Sequence, residues 1–464
     1  MEFASVNPAT GMKVASYDTF IPQQVEEAVA SAHAAFQDWR DASFEERGVA
    51  LRNVARILRR DAERYALLIT VEMGKPLAEA RAEIEKCAWC CDFFAGHGGA
   101  FLQDEQIVTQ ASRSYVAYHP LGVVLAVMPW NFPFWQVFRF AAPALMAGNT
   151  GLLKHAPNVT GCALAIEEVF RLAGLPGGAL RTLVVETDAV GAIIDDRRVA
   201  AVTLTGSVGA GRAVAAHAGR ALKKTVLELG GSDPFIVLED ADLPAAVETA
   251  VRARYQNGGQ SCIAAKRFIV VEAVAEEFET RFAEAVAALT VGDPLDPAVK
   301  IGPMARQDLR DAVDRQVKES VAAGARILQG GKQIEGRGWY YAPTVLAGVT
   351  PSMPAFHEEV FGPVAAVMRA AGEAEAVVLA NQSDYGLGGN IWTRDDKRGE
   401  TIARRIESGS VFVNGMTMSD PRLPFGGVKH SGYGRELSHV GIREFTNIQT
   451  IWVGPAATAQ TPSE

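Results

Sequence analysis

One cysteine beside a pair of glycines is the residue of this chain best suited to nucleophilic chemistry. Cys262 ends the segment Asn257-Gly258-Gly259-Gln260-Ser261-Cys262. The glycines predict a turn, because residues without a Cβ let backbone amides approach a ligand closely. A thiol on such a turn can be partly exposed, as a reactive cysteine must be. Lys266 and Arg267 follow closely and would favour the thiolate if they faced the sulfur.

A second candidate is the carboxyl group of Glu228, in the segment Leu227-Glu228-Leu229-Gly230-Gly231. A glutamate between two leucines is expected to be buried, and burial raises a carboxyl pKa towards values useful for a base at neutral pH. A cysteine and such a base suffice for nucleophilic attack and hydrolysis of an acyl intermediate. Lone cysteines and glutamates are more often structural, so these two segments alone leave both interpretations open.

A third candidate is the glycine turn Gly206-Ser207-Val208-Gly209-Ala210-Gly211, which follows an apolar run at residues 200–205. Glycines between a strand and a helix can direct backbone N–H groups at a pyrophosphate. The spacing departs from the usual dinucleotide fingerprint, and no acidic residue ends a neighbouring strand at the expected distance. A tight strand–helix turn therefore explains this segment equally well.

The elements around these residues are predicted from periodicity. Helical spacing over residues 22–95 predicts helices that could cover one face of a sheet, with a break at Gly74-Lys75-Pro76. Residues 112–119 alternate as in a half-buried strand, whereas residues 122–128 are apolar throughout, as in a strand buried on both faces. That strand runs into a proline-bracketed loop at residues 129–133, at the sheet edge where open α/β sheets bind ligands.

Alternation of strands and helices continues to residue 205 and predicts a doubly wound α/β sheet. After Gly231 the pattern restarts, which predicts a second α/β domain with its boundary near Gly230. The tail at residues 454–464 is predicted to be unstructured. The remaining predicted strands are residues 150–154, 180–185, 200–205, 234–238, 268–271, 342–349, 361–368 and 409–414, and the further helices are residues 161–173 and 275–289.

Composition narrows the class of protein. The chain has 464 residues, 48% of them hydrophobic and 21% charged, which favours two or three globular domains. The 45 basic and 54 acidic side chains give a net charge of −9, and without a Lys/Arg block no nucleic-acid partner is expected. No signal segment and no apolar run of membrane-spanning length is found, so a cytoplasmic protein without a membrane partner is expected.

The five cysteines, an odd number, favour a reducing compartment over a disulfide framework. Cys87, Cys90 and Cys91 fall in a helical pattern at residues 78–94 without a second ligand pair. Helix packing is therefore favoured over a zinc site, which needs four ligands, and no metal is expected.

Seven segments together match one family in order. The chain resembles the aldehyde dehydrogenase superfamily from residue 7 to about residue 452. Within it, residues 154–158 and 231–235 are similar to bacterial succinate-semialdehyde dehydrogenases. The seven segments are Pro129-Trp130-Asn131-Phe132-Pro133, Leu153-Lys154, Thr205-Gly206-Ser207, Leu227-Glu228-Leu229-Gly230-Gly231, Gly259-Gln260-Ser261-Cys262, Glu359-Val360-Phe361-Gly362-Pro363 and Pro424-Phe425-Gly426-Gly427-Val428-Lys429-His430-Ser431-Gly432.

The resemblance implies a Rossmann-like dinucleotide-binding domain, an α/β catalytic domain and a small β oligomerisation flap. The dinucleotide-binding domain is expected at residues 1–110 and 121–230, and the catalytic domain at residues 231–432. Residues 111–120 and 445–464 are the expected oligomerisation segments. Through them the chain would form a homodimer or a homotetramer, in which strands extend a neighbour's sheet.

The resemblance also implies three catalytic roles. Cys262 is the implied nucleophile, which forms a thiohemiacetal with the aldehyde carbon. The side-chain amide of Asn131 and the backbone N–H of Cys262 are implied to hold the developing oxyanion, where fixed donors contribute most. A thioester remains after hydride leaves for a nicotinamide, and Glu228 is implied to activate the water that hydrolyses it.

NAD or NADP is the implied cofactor. Lys154 would bond the adenine ribose, while Trp130 and Ser207 would contact the pyrophosphate region, with Thr205 and Gly206 in the same turn as Ser207.

On the nicotinamide side, Glu359 would hold the ribose and Phe361 would pack beside the ring. Core packing is the alternative explanation for Trp130 and Phe361. Pro157 stands where NAD-preferring relatives often carry a glutamate, so the choice between NAD and NADP stays open.

Four residues are candidates for binding a substrate carboxylate. Arg139 matches an arginine that succinate-semialdehyde enzymes direct at this group, whose two oxygens fit the guanidinium fork. The alternative for Arg139 is a surface ion pair. A second arginine of some relatives is Gln256 here, and Ser419 or Arg422 could substitute for it.

The expected reaction is therefore the NAD(P)-dependent oxidation of succinate semialdehyde to succinate. A broad-specificity dehydrogenase for aliphatic, aromatic or glutarate-type semialdehydes is the alternative. A CoA-acylating enzyme is disfavoured by Glu228, which such relatives typically lack. A non-catalytic binding protein would be expected to lack Cys262, Glu228 or Asn131, and all three are present.

Overall fold

The structure is a computed structural model that describes residues 2–454. Apart from Gly454, the tail predicted to be unstructured lies outside these residues, as does the end of the predicted oligomerisation segment 445–464.

The α-helices within residues 2–454 are α1 (Pro22–Trp39), α2 (Phe44–Arg60), α3 (Ala62–Met73), α4 (Leu77–Phe101), α5 (Trp135–Met146), α6 (Thr160–Leu172), α7 (Ala189–Asp195), α8 (Val208–Arg220), α9 (Leu243–Tyr255), α10 (Glu272–Ala287), α11 (Gln307–Ala322), α12 (Pro354–His357), α13 (Glu373–Asn381), α14 (Asp396–Ala403) and α15 (Ser438–Gly441). Short 3₁₀ turns occupy Pro157–Val159 and Gln256–Gly259.

The strands of the same residues are β1 (Glu2–Asn7), β2 (Met12–Asp18), β3 (Glu105–Gln106), β4 (Arg113–Pro120), β5 (Val123–Met128), β6 (Thr150–His155), β7 (Leu180–Thr182), β8 (Val199–Thr205), β9 (Lys224–Glu228), β10 (Asp233–Val237), β11 (Ala265–Val271), β12 (Arg326–Gln329), β13 (Thr344–Ala347), β14 (Val364–Ala370), β15 (Tyr385–Gly386), β16 (Asn390–Trp392), β17 (Phe412–Val413), β18 (Val428–Lys429), β19 (Gly432–Tyr433) and β20 (Thr446–Val453).

The first large sheet has the strand order β19-β9-β8-β5-β6-β7. Strands β5 to β9 run parallel, and only the two-residue β19 is antiparallel. Alternate residues of β5 enter different cores: Val123 and Leu125 pack with helices α1, α7 and α8, whereas Val124 and Ala126 pack with α2 to α6. The sheet is thus covered on both faces, which explains the apolar sequence of its central strand.

The second large sheet has the order β12-β13-β14-β11-β10-β16-β17, in which only the edge pair β12 and β13 is antiparallel. Phe268 of β11 faces a core with α9 and α10. Ile269 faces the opposite core with α11 to α14. Both sheets are therefore three-layer α/β units, and they separate on either side of Gly230.

A small third sheet pairs residues 105–120 with the segment at residues 446–453. Strand β20 pairs antiparallel with β4 along its length, and β3 lies on the other side of β4. Strands β1 and β2 form a separate hairpin that the sequence did not predict. Among residues 2–454, no helix combines the length and the apolar character needed to cross a bilayer.

The predicted elements are largely confirmed, with differences at their ends. The helices of residues 22–95 were expected on one face of a sheet, but α1 lies on one face and α2 to α4 on the other. The strand predicted at residues 180–185 ends at Thr182. The one predicted at 409–414 shrinks to Phe412–Val413. Both strands lie at the edges of their sheets, where a strand has a neighbouring strand on one side only.

Candidate active site

The candidate site lies where the carboxyl ends of the first sheet meet the amino ends of the second. Asn131 follows β5, Ser207 follows β8 and Glu228 is the last residue of β9. From the second sheet, Cys262 precedes β11 and Glu359 precedes β14. Parallel strands gather their ends at one edge, so these five side chains converge although they are distant in sequence.

Cys262 lies on the predicted turn. The chain reaches it through Asn257, Gly258 and Gly259, all with positive φ angles of 56°, 60° and 72°. A Cβ on Gly259 would stand 2.3 Å from the carbonyl oxygen of Gly362, so only glycine fits between the two loops. The side-chain amide of Asn257 donates to the backbone oxygen of Asn131 at 2.8 Å. The turn is therefore fixed against the loop that carries the predicted oxyanion donor.

Two cavities meet at the sulfur of Cys262. One, of about 260 Å³, is lined by Lys86, Trp135, Arg139, Ser419 and Phe425, among others. The other, of about 210 Å³, is lined by Trp130, Asn131, Ser207, Glu359 and Phe361, among others. Cys262 lines both, so a ligand in either cavity can reach the same atom.

Burial raises the pKa of the Cys262 thiol to about 12, and Arg139 and Lys266 only partly oppose this effect. Lys266 was predicted to favour the thiolate. It lies close by, but its ammonium donates to the backbone oxygens of Ser261 and Cys262 at 2.9 and 2.8 Å. The prediction was wrong for Arg267, whose guanidinium bonds the backbone oxygens of Ser232, Leu379 and Ala380.

The side chain of Asn131 is buried and oriented by two hydrogen bonds. Its amide nitrogen donates to the backbone oxygen of Gln260 at 3.0 Å. Its oxygen accepts from the side chain of Gln136, also at 3.0 Å. A primary amide has two N–H donors, so one stays available for a ligand oxygen beside Cys262.

Glu228 is fully enclosed, as the flanking leucines predicted. Neither of its carboxyl oxygens has a hydrogen-bond partner within residues 2–454. Burial raises its pKa well above the usual value, Glu436 raises it further, and Arg139 opposes the rise. A Cβ on Gly426 would stand 2.6 Å from Oε1 of Glu228, so this glycine leaves room for the carboxyl group. The carboxyl group therefore keeps its proton to higher pH than an exposed glutamate does.

A buried arginine ties the cysteine loop to the loop that carries Glu359 and Phe361. The guanidinium of Arg254 donates to the backbone oxygens of Val360 at 2.9 Å and Val364 at 2.6 Å, and also to that of Gly362. The same group reaches the backbone oxygen of Gly259 at 3.4 Å. The walls of the two cavities are therefore held together by one fully buried side chain.

Comparisons with known proteins decide the family. Residues 1–451 match the aldehyde dehydrogenase family. The chain belongs to this family. It is 53% identical over 448 residues to succinate semialdehyde dehydrogenase [NAD(P)+] Sad of Escherichia coli K12, with 97% of each chain covered. It is 51% identical to a probable succinate-semialdehyde dehydrogenase [NADP(+)] of Synechocystis, covering 98% of this chain and all of that one.

Among solved structures, the chain is similar to the succinic semialdehyde dehydrogenase of Streptococcus pyogenes in complex with NADP+. The TM-score is 0.96 at 38% identity, and the match covers 97% of this chain and 100% of that one. The fold is therefore that of an aldehyde dehydrogenase, as the resemblance implied.

Six of the seven residues predicted to bind the cofactor of this aldehyde dehydrogenase line one cavity. The rings of Trp130 and Phe361 meet edge to face at 5.7 Å. Glu359 accepts from the backbone N–H of Gly231 at 2.9 Å, and Ser207 caps helix α8. The seventh, Lys154, lies at the end of β6 and is not among the lining residues. Those that line the cavity are Trp130, Thr205, Gly206, Ser207, Glu359 and Phe361.

The four predicted substrate residues are not equally placed. Arg139, Gln256 and Ser419 line the same cavity as Cys262. Arg422 is not among the lining residues, and its guanidinium bonds Asp420 at 2.6 Å. Arg139 forms an ion pair with Glu436 in which both side chains are only 3% exposed. The alternative explanation, a surface ion pair, was therefore wrong about the surface, because the ion pair is buried.

Sequence reasoning gave no role to several residues of this cavity, among them Lys86, Trp135 and Phe425. Lys86 comes from helix α4, Trp135 from helix α5 and Phe425 from the loop before β18. Phe425 lies within a recognised segment and Trp135 closely follows another, and these positions were the only available signal. Cys87, Cys90 and Cys91 are buried in α4 as predicted. Within residues 2–454, no cluster of three or more suitable side chains could hold a metal ion.

Proposed function

We propose that this aldehyde dehydrogenase oxidises succinate semialdehyde to succinate, with NAD or NADP as hydride acceptor and water as the second substrate. The observation that carries the proposal is the position of Cys262, which lines both the cavity that contains Lys86 and Arg139 and the cavity assigned to the cofactor. The names of the two compared relatives from Escherichia coli and Synechocystis point to the same substrate.

The proposed mechanism assigns one task to each catalytic side chain. Cys262 releases its thiol proton to solvent and its sulfur attacks the aldehyde carbon. The free N–H of Asn131, with the Cys262 backbone N–H, stabilises the resulting oxyanion. Trp130, Glu359 and Phe361 would hold the dinucleotide, which would accept a hydride from this adduct and so leave a thioester on Cys262. Glu228 removes a proton from water, which attacks the thioester, releases the acid and restores the thiol.

The described residues fit a dinucleotide. A Cβ on Gly230 would stand 2.4 Å from Oε2 of Glu359, so glycine at this position keeps the space beside that carboxylate open. Trp130, Ser207 and Phe361 provide flat and polar surfaces around the same space. When bound, NAD or NADP supplies the hydride-accepting ring.

The choice between the two dinucleotides depends on the adenine side. Pro157 places no carboxylate near a ribose 2′-phosphate, and Lys154 is a cation at the neighbouring strand end. We propose that both cofactors are accepted, since nothing at Pro157 repels a phosphate.

A specific observation favours a second candidate, a dehydrogenase with broad aldehyde specificity. Arg139 is already paired with Glu436, and Gln256 replaces the second arginine of some relatives. If neither residue binds a carboxylate, uncharged aldehydes would be oxidised equally well.

The test is a set of kcat/KM values for aldehydes of rising chain length, with and without a terminal carboxylate, for both cofactors. We expect succinate semialdehyde to exceed butanal by roughly 10-fold or more, because a charged hydrogen bond contributes about 1.5–3 kcal/mol. Equal values for the two aldehydes would reject the proposed substrate in favour of broad specificity.

The assembly and the compartment are also proposals. The outer face of strand β20 exposes Ile448 and Trp452, at 62% and 52%, and its free edge can pair with another chain. These features support a homodimer or homotetramer formed through residues 111–120 and 445–464. The five free cysteines support the cytoplasm. The sheet boundary at Gly230 supports the proposed division into dinucleotide-binding and catalytic domains.

Replacing Ile448 by lysine is expected to weaken association about 10-fold or more, because burial of such a side chain contributes roughly 1.5–3 kcal/mol. Light scattering after gel filtration, over a concentration series, should show a smaller species. Val378→Lys is the matched control, since Val378 is 63% exposed on helix α13. An unchanged mass for Ile448→Lys would contradict the assigned interface.

A further inference from the structure

The cavity beside Cys262 contains an ammonium group without a carboxylate partner. Lys86 projects from helix α4 into the wall of this cavity. Its Nζ donates to Oγ of Ser419 at 2.9 Å and lies 4.4 Å from the centre of the Trp135 ring. Burial, with a smaller effect of Arg139, lowers the pKa of Lys86 to about 8, so the group is mostly charged at pH 7.

The carboxylates near Lys86 already have other cationic partners. Glu83 pairs with Lys75 and also accepts the backbone N–H groups of Phe134 and Trp135. Asp420 is held by both side-chain nitrogens of Arg422, at 2.9 and 2.6 Å. Within residues 2–454, Lys86 has no ion pair. A largely buried cation without a counter-ion is costly to maintain, and an anionic ligand in the cavity would remove that cost.

The hydroxyl of Ser419 is arranged to donate into the same space. Its oxygen accepts from Nζ of Lys86 and from Nε1 of Trp135, both at 2.9 Å. A serine hydroxyl has two acceptor lone pairs and one proton. With both lone pairs occupied, the O–H is left as a donor. Lys86 and Ser419 therefore present two adjacent donors, one of them charged.

We infer that Lys86 and Ser419 together bind the carboxylate of the substrate, in the cavity that Cys262 also lines. This inference rests on the proposed function and names the group that selects its substrate. It assigns to Lys86 the task that was expected of Arg139 and of an arginine at the position of Gln256. Arg422 acts indirectly, since it neutralises Asp420 and so leaves Lys86 free for the ligand.

The decisive comparison uses Lys86→Met, which removes the charge but keeps a long side chain over Trp135. We expect kcat/KM for succinate semialdehyde to fall about 10–100-fold, mainly through KM, because a charge-assisted hydrogen bond is lost. For butanal, which has the same chain length without the carboxylate, kcat/KM should change less than about twofold. Lys86→Arg should recover part of the preference.

Lys397→Met is the control, because Lys397 is exposed on helix α14 and its loss should alter neither substrate. Ser419→Ala provides a second variant if Lys86→Met folds poorly, and it should reduce the carboxylate preference about 3–10-fold without affecting butanal. Equal losses on both aldehydes would show that Lys86 only supports the packing of Trp135, and would overturn the inference.

If Lys86→Met retained the full preference for succinate semialdehyde over butanal, that result would overturn the inference as well. A wild-type enzyme that does not distinguish succinate semialdehyde from butanal would instead reject the proposed function, which keeps the two failures distinguishable.

Discussion

Replacing Cys262 by alanine is expected to abolish formation of reduced nicotinamide, with kcat lowered roughly 10⁴-fold or more, as for other enzymes that lose their nucleophile. Cys262 lines both cavities and is the only cysteine among the lining residues of either, so no other described cysteine can replace it. Cys87, Cys90, Cys91 and Cys162 are fully buried in helices. Absorbance of the reduced cofactor, followed in a single turnover, measures the effect directly.

Cys162→Ala is the matched control, because it removes a thiol from the interior of helix α6 and leaves both cavities intact. It should retain nearly wild-type turnover. A Cys262→Ala enzyme that still reduced the cofactor at a rate dependent on aldehyde would remove this residue from the mechanism.

Replacing Glu228 by glutamine is expected to separate the two halves of the reaction. Hydride transfer does not need the carboxylate, so one equivalent of reduced cofactor should form rapidly per active site. Hydrolysis of the thioester should then be about 10²–10⁴-fold slower, the usual contribution of a general base. Rapid mixing would show a burst followed by a nearly flat phase, and mass spectrometry would show the acylated protein. Undiminished steady-state turnover would contradict the assigned role.

The pH dependence of hydrolysis provides a second test of Glu228. Burial and the nearby Glu436 raise its pKa above the ordinary value, so the protonated form persists to higher pH than for an exposed glutamate. A base acts only when deprotonated. The rate of thioester hydrolysis is therefore expected to increase with pH through this raised pKa in the wild type, and Glu228→Gln should lose that dependence.

The features predicted most accurately from the sequence are those that depend on local composition. The apolar run of β5, the turn before Cys262 and the burial of Glu228 each follow from a few adjacent residues, and all three are confirmed. The two-sided covering of the first sheet was only partly predicted, because helical spacing does not say which face a helix covers.

The partners of the side chains could not be predicted in the same way. Arg139 lines the cavity of Cys262, but sequence gave no sign that its guanidinium also contacts Glu436, in a loop of the C-terminal part of the chain. Lys86 meets Ser419 across 333 positions of sequence. Such pairs depend on how α4 and α5 pack against the loop before β18 and the segment after β19. A lysine in a helical pattern carries no local sign of that packing.

Arg254 has a consequence for how this site can change during evolution. Its guanidinium joins the backbone of the cysteine loop to the backbone of the Glu359 loop, so displacement of one segment is transmitted to the other. Grafting either segment from a homologue would succeed only if the anchoring side chain and both partner segments were exchanged together. The positions of the Cys262 thiol and of the Glu359 carboxylate are therefore coupled through one side chain.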